Sequence, residues 1–181
     1  MFVPTSLGLH RVEDLEQFED DFELDEGVLV PKTGGKPRHG RVAARVCSVL
    51  SAFVRLHGLG TVYANNTAFV LQRNPDTLRC PDVAFVHAER VARQDPDAYY
   101  EGAPDLTVEV VSEQDRPGRL LHKVGQFLEA DARLVWLVDP RRRHVVAWDA
   151  EGNVRVVGEH DTLNGGEVLP GFSCPAGDLF T

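Results

Sequence analysis

Apolar residues recur at helical spacing in two stretches of the chain and at strand spacing in much of the remainder. From Gly40 to His57 the apolar positions are Val42, Val46, Val49, Leu50, Phe53 and Val54, one stripe of a helix that Gly58 is placed to stop. A second helix is predicted over 118–130, with Leu120, Leu121, Val124, Phe127 and Leu128 as its buried stripe. Leu106 to Val111 alternates as a strand does. Leu134 to Val138 is continuously apolar, the pattern of a central strand covered on both faces, and Asp139-Pro140 ends it.

Further strands are predicted at 61–71 and 82–86, and a hairpin at 144–149 and 153–157 turns through Glu151-Gly152-Asn153. Residues 13–22 read as a short acidic helix, with Leu15, Phe18 and Phe22 at helical spacing. Phe22 to Pro31 reads as strand, turn and strand around Asp25-Glu26-Gly27. Lys32 to His39, holding Gly34, Gly35 and Pro37, is predicted as a loop. The insert 87–103 is polar, helical or irregular, and the tail around Pro170-Gly171-Phe172 is expected on the surface, packing back on the sheet. This order predicts one α/β (α+β) domain over 1–181, a mixed sheet with helices on its faces.

Composition narrows the class. With 181 residues, 43% hydrophobic and 26% charged, the chain is an ordinary globular one, which excludes collagen-like, coiled-coil and fully disordered readings. The net charge of −9 is concentrated: nine acids and no Lys or Arg lie between Glu13 and Glu26, and the rest of the chain is balanced. Overall acidity therefore argues only weakly against a polyanionic partner. The acidic segment is instead expected to be able to swing over a basic face and inhibit it. Cys47, Cys80 and Cys174 are an odd number without C-x-x-C spacing, so a reduced, cytoplasmic setting is expected, with Cys80 as a small buried filler. No apolar run approaches the ~18 residues of a membrane span and no leader pattern opens the chain, so no membrane association is expected.

Two carboxylates stand apart from the solvated majority. Asp82 follows Pro81 at the mouth of Val83-Ala84-Phe85-Val86, and Glu109 lies among the β-branched residues of Leu106 to Val111. A carboxylate in such a strand either faces solvent or is desolvated and partnered. If the two strands are neighbours, the acids converge, and two hard oxygen ligands suit Mg²⁺. Lys123 falls about 100° from the centre of its helix's stripe, so it flanks that stripe; it is either a snorkelling surface lysine or a group that holds a phosphate or orients a water.

Taken in order, the stretches Phe22 to Val30, Pro37-Arg38-His39, Pro81 to Val86, Ala103 to Ser112, Lys123 and Leu134 to Pro140 resemble a large bacterial family of restriction-endonuclease-like proteins. That family, first catalogued as a domain of unknown function, belongs to the PD-(D/E)XK nuclease superfamily. The resemblance runs over about 15–180. It implies a restriction-endonuclease-like mixed sheet in α-β-β-β-α-β order with extra edge strands. It also implies a Mg²⁺- (or Mn²⁺-) dependent endonuclease, a hydrolase acting on DNA or, alternatively, RNA. Asp82, Glu109 and the main-chain carbonyl of Val110 match the metal ligands. The lysine of the standard E-x-K is absent, since Val111 stands there, and Lys123 on the next helix matches its replacement. Glu23 matches an N-terminal acid of the site, and His39 a family position expected at the substrate; Arg38 and Arg41, from the basic run around them, are expected to bind substrate phosphate. Glu26 replaces a usual Asp, and Glu113 a usual Pro, which adds negative charge near the site entrance. A homodimer, two sites for two strands, follows by analogy alone.

Other chemistry finds less support. The histidines lack H-E-x-x-H or H-x-H spacing, no G-x-S-x-G occurs, and Gly34-Gly35-Lys36-Pro37 lacks the spacing of a phosphate loop. His39 is either at the site or a helix-start histidine held by the backbone. Two basic clusters, Lys32 to Arg45 and Arg141-Arg142-Arg143-His144, are either phosphate contacts or solvated loops. The alternative function is a catalytically inactive nuclease-fold module that binds or regulates.

Overall fold

The computed structural model describes residues 8–19, 21–32, 34–64 and 66–181. After a 3-10 helix at Val12–Gln17 come β1 (Phe22–Asp25), β2 (Val28–Pro31), α1 (Pro37–His57), β3 (Gly60–Ala64), β4 (Phe69–Gln72), β5 (Thr77–Arg79) and β6 (Val83–His87). The short α2 (Ala88–Val91), β7 (Tyr100–Glu101), β8 (Leu106–Val110), α3 (Pro117–Glu129) and β9 (Leu134–Asp139) follow. The chain ends with β10 (His144–Asp149), β11 (Val154–Gly158), β12 (Thr162–Gly165), β13 (Leu169–Pro175) and a 3-10 helix at Ala176–Phe180.

The main sheet has the order β11-β10-β9-β8-β6-β3. Four adjacent strands, β3, β6, β8 and β9, with α1 and α3 give the α-β-β-β-α-β sequence, and β10 and β11 are extra strands beyond β9. β8 and β9 pair in parallel, while β6 pairs antiparallel to β8 and to β3. A second sheet, β2-β1-β5-β4-β7, takes β1 and β2 from before α1 and β4, β5 and β7 from between strands of the first.

Side-chain parity decides what each face sees. Leu106, Val108 and Val110 of β8 join Val83, Phe85 and Trp136 on one face, against the α1 stripe Val42, Val46, Leu50 and Val54. Burying each such side chain is worth about 1.5–3 kcal/mol over leaving it exposed. The opposite face carries Thr107 and Glu109, and there α3 packs through Val124 and Phe127 onto Val135. The second sheet reaches that same face where Phe69 and Tyr100 meet Ala84 and Val86. β8 is buried at every position because it is covered twice.

Several predicted elements are redrawn. α1 begins at Pro37, with Pro at its first turn, so Arg38 and His39 are helical; Gly58 ends it in the left-handed conformation at φ 61°. The predicted strand 61–71 is two strands in different sheets, and β5 is an additional one. The acidic helix is the shorter 3-10 turn, pinned where the Val12 N–H donates to Asp76 at 2.9 Å and Glu13 pairs with Arg73 at 2.9 Å. It packs on the second sheet beside Leu24, Val70 and Leu78 and so is anchored rather than a free cover. The tail is core: Leu163, Leu169, Phe172, Leu179 and Phe180 are buried with the α1 face. Leu121 is 58% exposed, and Gln126 is buried in its stead. Among the described residues no helix is long and apolar enough to cross a membrane.

Candidate functional site

The site begins with strand register. Val83 opposes Val108 across the β6–β8 pair, which sets position 82 opposite position 109. Asp82 Oδ2 accepts the Val110 N–H at 2.8 Å, so the carboxylate closes the ladder where β6 ends. In a strand the N–H and C=O of one residue point the same way, so the Val110 carbonyl faces that edge too. His39, on the first turn of α1, puts Nε2 3.2 Å from Asp82 Oδ2. His39 is therefore held by a carboxylate and not by a backbone group.

α3 supplies the cation. Its inward face is rotated from the apolar stripe and runs through Lys123, Val124, Gln126 and Phe127. Lys123 therefore does not snorkel to the surface. Its Nζ lies 3.3 Å from Glu109 Oε1 and 3.1 Å from Glu23 Oε2. Glu23, Asp82, Glu109, Lys123 and His39 thus form one cluster contributed by β1, the β6 mouth, β8, α3 and α1. Arg38 and Arg41 face a separate cleft beside it.

Behind this cluster is a buried network that sequence reasoning misses. Arg79, at the end of β5, donates through Nη1 to Glu23 Oε2 at 3.2 Å and through Nε and Nη2 to Gln126 Oε1 at 2.9 and 2.6 Å. Its Nη2 is also 2.7 Å from Asp25 Oδ1. Gln126 Nε2 donates to Asp25 Oδ1 at 2.7 Å, and His122 lies 3.1 Å from the same oxygen. Glu23 Oε1 also accepts the Cys80 N–H at 3.0 Å. Its signal in the sequence is a lone arginine in Thr77-Leu78-Arg79, three positions before Asp82 and in a strand that must be buried. Cys80 is a filler as expected, its thiol pushed up to about 11 chiefly by burial.

Charge is unevenly shared. Glu109 is pushed up to about 7, first by burial and then by the Asp82 and Glu23 carboxylates, against the pull of Lys123. Burial works against the Lys123 ammonium, but Glu109 and Glu23 outweigh it and raise it above an ordinary lysine. The Asp82 hydrogen bond is the largest cause holding His39 above its usual value. For Asp25, burial is outweighed by hydrogen bonds from Gln126 and by Arg79, and its carboxyl titrates low. Glu113, expected to repel phosphate, is neutralised by Lys36 at 2.8 Å, with Arg141 at 3.8 Å.

The donor set fits a hard divalent cation. Among the described residues no three His, Cys, Asp or Glu side chains make a complete cage. Mg²⁺ needs none, since one or two carboxylates, a main-chain oxygen and waters suffice. Asp82 and Glu109, opposite one another at the end of the β6–β8 pair, are the two carboxylates such a site would use.

A pH effect follows. Glu109 is raised above its unfolded value, so the folded state holds a proton the unfolded state releases. Its contribution to stability is full below the ordinary glutamate pKa and is lost as pH rises through about 7. Glu109→Gln, which removes that titration, is expected to melt about 3–6 °C above the parent at pH 8 in EDTA and to converge with it near pH 4. Thermal melts across that range check this, and a difference constant with pH refutes the assignment.

The fold has a solved counterpart: the crystal structure of a putative nuclease belonging to DUF820 from Anabaena variabilis ATCC 29413. It superposes with a TM-score of 0.78 at 17% sequence identity over 90% of this chain and 91% of that one. At that identity the likeness speaks to the fold. No curated protein matches the chain. Residues 9–177 match the model of the Uma2 family, described as "Putative restriction endonuclease", and the chain belongs to that family.

Proposed function

We propose that the protein is a divalent-cation-dependent endonuclease that hydrolyses phosphodiester bonds in DNA. The observation that carries this reading is the geometry at Glu109: a buried carboxyl opposite Asp82, with a lysine amine at 3.3 Å. The family description and the fold neighbour's description as a putative nuclease support it.

Asp82, Glu109 and the Val110 carbonyl would hold Mg²⁺ or Mn²⁺. Bound there, the ion supplies Lewis-acid polarisation of the scissile phosphate. Lys123, kept cationic by Glu109 and Glu23, stabilises the charge that builds on the phosphoryl oxygens or orients the attacking water. Glu23 positions that lysine. His39, held by Asp82 at 3.2 Å, presents its imidazole to substrate oxygens on the α1 side.

The test is nicking of supercoiled plasmid by the full chain. Open circles are expected with Mg²⁺ or Mn²⁺ and not with EDTA. Identical plasmid profiles in all three conditions count against the reading. A module that kept the fold without the chemistry binds DNA in a salt-sensitive way and shows no metal-dependent rise in melting temperature.

A further inference from the structure

Beside the carboxylate cluster lies a cleft of about 290 Å³ between the start of α1 and the turn joining β9 to β10. Arg38 and Arg41 form one wall, Arg141 and Arg143 the other, and Val42 and Phe180 contribute apolar surface. No acid lines it. In a chain of net charge −9, four guanidinium groups around one concavity are not a by-product of composition.

The four are not equally engaged. Arg143 pairs with Glu159 and lies over the Phe180 ring at 5.4 Å, which fixes it as part of the wall. Among the described residues the Arg141 side chain meets only Glu113, at 3.8 Å. The Arg38 and Arg41 side chains make no ion pair or hydrogen bond among the described residues, and both are exposed. The helix start adds to the field: Lys36 at the N-cap makes no side-chain cap, and the first-turn N–H groups carry the positive end of the α1 dipole.

Position relates the cleft to the chemistry. Arg38 is followed by His39, which reaches Asp82 at 3.2 Å. Pro140 and Arg141 extend from the end of β9, the parallel neighbour of the Glu109 strand. An anion seated between the arginines is thus next to the carboxylate cluster. Planar guanidinium forks suit phosphate oxygens.

We propose that this arginine cleft seats a backbone phosphate of the nucleic acid flanking the scissile one, and so sets the register of the strand over the site. The identity of the anion rests on the nuclease reading; the anion site itself does not.

The test compares two double variants of the full chain. Arg41→Gln with Arg141→Gln removes one guanidinium from each wall of the cleft. Arg55→Gln with Arg133→Gln removes the same charge at the far end of α1 and before β9. All four arginines are exposed, and melting within about 2 °C of the parent verifies the fold. Binding to a fluorescein-labelled DNA duplex of about 20 base pairs is followed in EDTA from about 50 to 200 mM KCl. The cleft variant is expected to bind about tenfold more weakly and to lose about 1 from the slope of log K against log salt, while the control stays within about twofold. Equal behaviour of the two variants, or a parent that does not bind the duplex, overturns the cleft. Plasmid nicking in the same preparations keeps the two proposals apart. A parent that binds through the cleft but never nicks removes the nuclease reading alone, and a parent that nicks while both variants bind alike removes the cleft alone.

Discussion

Replacing Asp82 with Asn is expected to lower metal-dependent nicking by at least about 10³-fold, equivalent to about 4 kcal/mol of transition-state stabilisation. The change is nearly isosteric. The new side-chain oxygen can still accept the Val110 N–H that Asp82 accepts at 2.8 Å, so the ladder between the β6 mouth and β8 survives. What disappears is one negative charge opposite Glu109. That carboxyl, held up partly by Asp82, then moves toward ordinary values, and His39 loses the largest cause of its raised pKa. Three readouts should move together: the nicking rate collapses, the melting temperature holds or rises, and the His39 imidazole titrates lower by NMR. Retention of the rate within about tenfold of the parent would remove Asp82 from the chemistry.

How much of this is legible in sequence depends on whether a signal is local. Asp82 and Glu109 stand out because a carboxylate in or at a β-branched run contradicts its surroundings, and contradictions of pattern cluster where function resides. Their convergence needs only that β6 and β8 be neighbours, which the polar insert between them leaves open until the structure pairs them. Lys123 is harder. An apolar stripe locates a helix's inward face only when the facing wall is apolar. Here α3 faces Glu23, Asp25 and Arg79, so Gln126 turns in and Leu121 turns out. Arg79 is hidden because a three-residue strand carries no period to read. The tail misleads for a related reason: its apolar residues, Leu163, Leu169 and Phe172, are spread between turns, yet they complete the core over α1. His39 reaches Asp82 through helix phase, since Pro37 rather than Gly40 starts α1.

Arg79→Met is expected to destabilise the fold by about 3–5 kcal/mol, on the order of 10 °C in melting temperature for a chain of this length. The guanidinium is almost fully buried and holds Glu23, Asp25 and Gln126 at once. Methionine fills similar volume, so the loss reads the polar network rather than a cavity. Asp25 keeps Gln126 and His122, and Glu23 keeps Lys123 and the Cys80 N–H, but each loses its buried counter-charge and Gln126 loses both of its donors. Arg79→Lys recovers less than half of the loss, because one ammonium cannot span the fork of contacts. Adding Glu23→Gln to Arg79→Met restores part of the stability by removing the stranded charge, which a double-mutant cycle in urea measures. The same change frees Lys123 from one of its two carboxylates, so stability returns without catalysis. An Arg79→Met protein that melts within about 2 °C of the parent would show that the network is not what fixes β5, and with it the turn that delivers Asp82 three residues later.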